Sequence, residues 1–345
     1  MKAMIFAAGL GTRLKPLTDS TPKALLPING KPMLEHVILK LKDAGFHQIT
    51  INIHHLGDQI INFLAANNNF GIQIHISDER DYLLDTGGGI KHAAAFLQGN
   101  EPFLIHNVDI LSDIDLRALY NHHAETNPLA TLLVSKRNTS RYLLFNKENK
   151  LCGWRNRETG EVKSFYPDFD PNQYNEYAFS GIHVLSPKIF DWMEEWTGKF
   201  SIINFYLSIC AKTNIHAYAD ENLHLIDVGK PETLQVAEKW MKTLIVYLTK
   251  ICFFRKSLRN PAFYLSKRTS CREVHSFFQQ RRFSLARRPS SYIKISTPHG
   301  NEDGLCSYDD RPHAHKALNF FSNIQNLHQS FLPQAILKGL SFSQM

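Results

Sequence analysis

The sequence predicts an α/β protein with a mostly parallel sheet and helices on both faces. Three observations carry this. Short apolar runs alternate with amphipathic segments through the first 135 of 345 residues. In "MLEHVILKLKDAG" the apolar residues Leu34, Val37, Ile38 and Leu41 recur at helical spacing, with Gly45 as a stop. Glycine- and aspartate-bearing turns follow the first and fourth strands, at the carboxyl ends of the strands where ligands of such folds bind.

Taken in order, the expected strands are Ala3–Ala7, Gln48–Ile53, Gly71–Ile76, Phe103–Asn107 and Ala130–Val134. The expected helices between them are Met33–Ala44, Asp58–Ala65, Gly88–Leu97 and Leu116–Ala124. Residues 136–176 are polar, aromatic and turn-rich, and read as a hairpin or lid inserted over the crevice. "YAFSGIHVL" returns to strand, Pro187–Trp196 to helix, and "IHAYA" and "LHLIDVG" to strands. "KPETLQVAEKWMKTL" reads as a closing helix with Pro231 in its first turn.

Charge divides the chain. Residues 246–345 hold 15 Lys+Arg against 5 Asp+Glu, a net of +10, whereas residues 1–245 carry 24 against 27, a net of −3. The overall +7 therefore belongs to the tail. We expect a catalytic domain over 1–243 and a basic extension of low order over 244–345, with an amphipathic anchor as the alternative for the stretch opening "TLIVYLTKICFFRK". The five cysteines are scattered without a C-x-x-C pair, so neither a zinc site nor a disulfide framework is expected. No apolar run reaches the length of a membrane span, and the N-terminus lacks a signal peptide pattern; a cytoplasmic protein is expected, without a nucleic-acid partner.

The chemistry concentrates in "FAAGLGTRLKPLTDSTPKALLPINGKPML". A strand followed by Gly9-Leu10-Gly11-Thr12-Arg13 turns backbone N–H groups toward a common point, where glycines permit close approach to phosphate. A tight strand-to-helix turn would need the same glycines. The run lacks the Gly-Lys-Ser/Thr of a P-loop and the third glycine of a dinucleotide fingerprint. Arg13 and Lys23 add two cations that suit a triphosphate and its leaving pyrophosphate. Asp109 and Asp227 lie 118 positions apart, each at a strand end facing the same crevice. A lone aspartate there serves equally as a cap or turn residue.

The whole stretch resembles the opening signature of the sugar-1-phosphate nucleotidyltransferases: apolar-A-A-G-x-G-x-R, then P-K-x-L-x-P, then K-P-M or Q-P-L. The resemblance covers about residues 1–243 and implies a Rossmann-like mixed sheet of the GT-A-like nucleotide-diphospho-sugar transferase kind. It implies a nucleotide cradle of Ala7, Ala8, Gly9, Gly11, Thr12, Arg13 and Lys23, with Arg13, Lys23 and Asp109 as the catalytic set. "LLDTGGGIKHA" is similar to the segment closing around the base, with Asp85, Gly87 and Gly88. "FLIHNVDIL" and "LHLIDVGKPETL" resemble the segments delivering two Mg²⁺-binding aspartates, here Asp109 and Asp227. Asn107, Glu176 and Gly181 are sugar-side candidates. The implied partners are an NTP, UTP favoured, and a sugar 1-phosphate; the implied assembly is a monomer or small homo-oligomer.

Within that family, "TGGGI", "FSGIHVL" and "DVGKPETL" resemble the bacterial branch acting on N-acetylmuramate 1-phosphate in cell-wall recycling. Two departures stand out. Val108 occupies a position where members often carry Gly. The Glu-Lys-Pro triplet, whose lysine grips the sugar phosphate in many relatives, is missing, as it is in the muramate branch. The sugar-phosphate cation is therefore unassigned. The alternatives are a guanylyltransferase for mannose or heptose phosphate, a cytidylyltransferase, or a nucleotide-sugar-sensing subunit without turnover. Retention of Arg13, Lys23, Asp109 and Asp227 argues against the last.

Overall fold

The structure is a computed structural model that describes residues 1–167 and 169–243. The expectations for 244–345 lie outside the described residues.

Fourteen strands are described, in chain order β1 Lys2–Phe6, β2 Pro27–Ile28, β3 Lys31–Pro32, β4 Gln48–Ile53, β5 Gln73–Asp78, β6 Phe103–Asn107, β7 Ile110–Ser112, β8 Ala130–Ser135, β9 Arg141–Phe145, β10 Leu151–Asn156, β11 Val162–Lys163, β12 Asn175–Leu185, β13 Ile215–Ala219 and β14 Leu225–Asp227. The α-helices are α1 Met33–Asp43, α2 Gly57–Ala66, α3 Asp85–His92, α4 Ala94–Leu97, α5 Leu116–Thr126, α6 Ile189–Trp192 and α7 Ile202–Ile209; residues 231–243 are also helical. None of the described helices is long and apolar enough to cross a membrane.

The main sheet runs β11-β10-β9-β12-β6-β1-β4-β5, with β8 joined to β12 and β13 to β8. Its first half is parallel: β1 pairs with both β4 and β6, and β4 with β5. β12 runs antiparallel to β6, β8 and β9, which makes the sheet mixed. Strands β1, β4 and β6 are buried nearly throughout, as expected when helices cover both faces. The apolar stripe of α1 (Leu34, Val37, Ile38, Leu41) is fully buried, as its spacing predicts. Residues 136–176 form three antiparallel strands, β9 to β11, that extend the sheet from the first half of β12. The expected helix Gly88–Leu97 is two pieces, α3 and α4, separated at Ala93, and α3 begins three residues earlier.

Three features bear on the site. β12 changes register against β8 between Phe179 and His183, where Gly181 has φ +72°, a left-handed conformation that disfavours a side chain. β7 pairs antiparallel with β14 as a separate two-stranded ladder beside the end of β6. Lys40 of α1 donates to the Ser112 carbonyl (2.6 Å) and hydroxyl (2.9 Å), tying the helix to β7; burial pulls its ammonium down to about 7 against the opposing pull of Asp113 and Asp115.

His106 and His183 are buried on neighbouring strands of the sheet. His183 stacks on Phe179 at 5.4 Å and meets the edge of Tyr206 at 5.8 Å, and neither of its ring nitrogens has a hydrogen-bond partner among the described residues. Burial pulls both imidazoles down to about 3; for His106 the nearby Lys40 charge adds to this. The unfolded chain therefore takes up protons that the folded chain refuses. Stability from these groups is full above the ordinary histidine value and is lost as pH falls from about 6.5 toward 3. Urea unfolding of His183→Leu at a series of pH values checks this: the midpoint should fall less steeply from pH 7 to pH 5 than in the parent protein.

Candidate functional site

The loop after β1 is fixed from below by a buried polar chain. Asn52, at 2% exposure, accepts the N–H of Ala7 (2.7 Å) and of Ala8 (3.3 Å) on its side-chain oxygen. Its amide nitrogen donates to Glu79 (2.8 Å), whose second oxygen accepts the Leu84 N–H (3.2 Å). One network thus joins β1, β4, the turn after β5 and the entry to α3. Beyond Ala8 the loop is exposed through Gly9 and Leu10, then closes in a short 3₁₀ turn, Thr12–Leu14. Gly11 has φ +64°, and a Cβ there would fall 2.7 Å from Thr18. Its carbonyl accepts from the Leu14 N–H (2.8 Å) and the Thr18 hydroxyl (2.9 Å). Leu14 is fully buried and anchors the turn, so Thr12 and Arg13 are presented outward.

Lys23 opens a second 3₁₀ turn, Lys23–Leu25, with its stem packed beside Gly11 and only 8% exposed. Its ammonium makes an ion pair with the Asp109 carboxylate. Asp109 follows β6. In the β7–β14 ladder Asp227 stands opposite Ile110, and the Val228 N–H donates to the Asp109 carbonyl (2.8 Å). That register sets the two aspartates side by side. One oxygen of Asp227, Oδ1, is buried without a hydrogen-bond partner among the described residues. Burial, and then the Asp109 charge, push the Asp227 carboxyl up; Lys23, Arg137 and Arg13 pull it back down. A Cβ on Gly229 would come within 3.0 Å of Asp227 Oδ1 and 3.2 Å of the Arg13 guanidinium, so the arginine reaches over to the acid pair.

This donor set suits Mg²⁺. A hard divalent cation takes oxygen ligands and typically uses one or two carboxylates plus substrate phosphates. Asp109 and Asp227 offer two carboxylates with an orphaned buried oxygen between the strands. Among the described residues no cluster of three or more His, Cys, Asp or Glu forms a self-sufficient metal cage.

The segment "LLDTGGGI" is placed differently from a phosphate-style loop. The N–H groups of Gly87 (2.9 Å) and Gly88 (3.2 Å) both donate to the Phe200 carbonyl. A Cβ on Gly87 would run into the Phe200 ring, and one on Gly88 would fall 2.5 Å from the Gly198 carbonyl. Thr86 accepts the Ile202 N–H (2.9 Å). In the described residues these glycines let α3 press against residues 198–202. Asp85 is exposed, with φ +61°, and accepts the Thr86 N–H (2.6 Å).

A Cβ on Gly181 would lie 2.6 Å from the Asn107 amide, so these two are in contact at the end of β6 and the β12 bend. Glu176, in β12, ion-pairs with Arg155 (3.2 Å) and Arg157 (2.7 Å). A cleft there is lined by Lys136, Arg137, Asn138, Tyr142, Arg157 and Glu176. Sequence reasoning missed Asn52, Glu79 and Arg137. Asn52 sits inside a strand with its function in its neighbours, and no local pattern marks it. Arg137, two residues past the end of β8, could have been found by the rule that placed Asp109.

Comparison with known proteins identifies the family. Residues 2–242 match the family model described as "Nucleotidyl transferase". The chain is 37% identical over 198 residues to the N-acetylmuramate alpha-1-phosphate uridylyltransferase of Neisseria meningitidis serogroup B, covering 56% of this chain and 79% of that protein. It is 31% identical over 244 residues to the protein of the same name from Caulobacter vibrioides, covering 68% and 95%. The crystal structure of HddC from Yersinia pseudotuberculosis complexed with GMP-PN superposes with a TM-score of 0.55 at 24% identity, covering 70% of this chain and 99% of that one, which is a likeness of fold. The chain belongs to the nucleotidyl transferase family.

Proposed function

We propose that residues 1–243 form a uridylyltransferase joining UTP to N-acetylmuramate 1-phosphate, releasing pyrophosphate, in the cytoplasm and in the service of cell-wall sugar recycling. The observation that carries the chemistry is the acid pair Asp109–Asp227 ringed by Lys23, Arg13 and Arg137. The similarity to two uridylyltransferases of that specificity supports the substrate.

In this reading an oxygen of the sugar phosphate attacks the α-phosphorus of UTP in line. A new P–O bond forms as the bond to the bridging oxygen of the pyrophosphate breaks, and the electron pair leaves with pyrophosphate. The attacking phosphate is already ionised, so no general base is required. The protein's part is positioning and charge neutralisation. Gly9–Thr12 lie along the triphosphate, Arg13 forks onto its terminal phosphates, and Lys23 turns from Asp109 toward the charge developing on the leaving group. Asp109 and Asp227 would hold Mg²⁺, which supplies further neutralisation of the phosphate oxygens when bound. Asp85, Gly87 and Gly88 border the base, and Asn107, Glu176 and Gly181 border the sugar.

Pyrophosphate release by the full chain with Mg²⁺ tests the reading, crossing UTP, GTP, CTP and dTTP with the 1-phosphates of N-acetylmuramate, N-acetylglucosamine, glucose and mannose. Turnover confined to UTP with the muramate phosphate is expected. Turnover with another pair would keep the chemistry and replace the substrate; a folded, nucleotide-binding protein silent with all pairs would favour a sensing subunit. Asp227→Asn should lower kcat by at least about a hundredfold with little loss of thermal stability, because it removes a charge repelled by Asp109; unchanged kcat at saturating Mg²⁺ would remove Asp227 from the site. Asn52→Ala should cost roughly 1–3 kcal/mol of stability, since it strands the Ala7 N–H and Glu79 in the interior. Its KM for UTP should rise with the loosened loop, which calorimetry and steady-state kinetics on one preparation would show.

A further inference from the structure

The cation for the sugar phosphate is missing from the sequence pattern, and the structure supplies a replacement. We infer that Arg137 binds the phosphate of the sugar 1-phosphate, from the floor of the cleft between the end of β8 and the bend in β12. The inference rests on the nucleotidyltransferase reading above.

Three observations place it. Arg137 lies two residues past the end of β8 and lines the cleft with Tyr142, Arg157 and Glu176. One end of its guanidinium, Nη2, donates to the Phe179 carbonyl (3.0 Å), two residues before Gly181, whose bend abuts Asn107. The group is thereby pinned to β12, the strand that carries Glu176 and Gly181. Its Nε is buried and has no hydrogen-bond partner among the described residues, which leaves an N–H donor still to be satisfied.

The neighbouring cations are already engaged. Arg155 and Arg157 are both committed to Glu176, and Lys136 pairs with Glu221 at 3.8 Å on the surface. Arg137 has no ion-pair partner among the described residues. A guanidinium held in place by one backbone bond, with no carboxylate to neutralise it among the described residues, keeps its charge for a phosphate in the cleft. Its position also fits the reaction. The sugar phosphate must approach the α-phosphorus from the side opposite the leaving pyrophosphate. Arg13 and Lys23 come from the segment after β1, and Arg137 comes from a separate segment just past the end of β8.

The test is steady-state kinetics of the full chain with the sugar phosphate that the substrate panel selects. Arg137→Gln should raise KM for the sugar 1-phosphate by about ten- to a hundredfold, the range for losing a charged hydrogen bond, with KM for the nucleotide unchanged. Arg137→Lys should restore part of the loss, because it keeps the charge without the fork. Inhibition by the free sugar, which has no phosphate, should be the same in parent and variant. An unchanged KM for the sugar 1-phosphate in folded Arg137→Gln would overturn the inference. So would equal rises in both KM values, or weakened inhibition by the free sugar, either of which would mark a general disturbance of the cleft. If Arg137→Gln does not fold, Arg137→Lys with an unchanged KM for the sugar 1-phosphate overturns it. A parent protein that turns over no sugar phosphate would overturn the nucleotidyltransferase reading, and the role of Arg137 with it.

Discussion

Two carboxylates set side by side in a partly buried place repel one another, and the centre of this protein is arranged around that repulsion. Asp109 and Asp227 are forced together by backbone, through the β7–β14 register and the Val228 bond to Asp109. The penalty appears as the upward push on Asp227. Lys23, Arg13 and Arg137 offset it from three separate segments. Lys23 is the most committed of the three, buried with its ammonium against Asp109. A site that holds opposite charges at close range over a scaffold of fixed strands can exchange those partners for a phosphate or a cation without reorganising its frame.

The frame itself is unusually polar for a strand interior. Asn52 and Glu79 sit at 2% and 3% exposure and spend their hydrogen-bonding capacity on the loop after β1 and the entry to α3. Buried polar chains are costly when incomplete and rigidifying when satisfied. This one couples the two glycine-bearing segments of the site, so a displacement of either is felt by the other. The glycines of α3 answer to a different neighbour, the Phe200 strap, which closes that helix from outside.

Much of the fold was legible because it follows periodicity. β4, β6 and β13 fall where the apolar runs place them, and α1 buries the stripe its spacing defines. The strands β9–β11 were not resolved from sequence, since aromatic and polar residues alternate there without a clean period. The split between α3 and α4 was also hidden, because "GGGIKHAAAFL" carries no breaker at Ala93. In the candidate site, the residues the sequence singles out and the fold brings together are those in turns with a local signature: Gly9–Arg13, Lys23, Asp109. Those missed act across strands. Asn52 matters through a register with β1, and Glu79 through its bonds to Asn52 and to the Leu84 N–H. Distances of that kind exist only after folding.

The β7–β14 ladder has a consequence for synthesis. Nearly all of the main sheet is specified before residue 220, yet Asp227 arrives on the last strand described. A ribosome that stalls or a protease that cuts ahead of Leu225 would leave a chain able to assemble most of its sheet while lacking one member of the acid pair. That partial product would keep the loop, Lys23 and Asp109 without the partner that sets their charge balance. The order of the strands thus makes completion of the chain a condition for completing the charge arrangement.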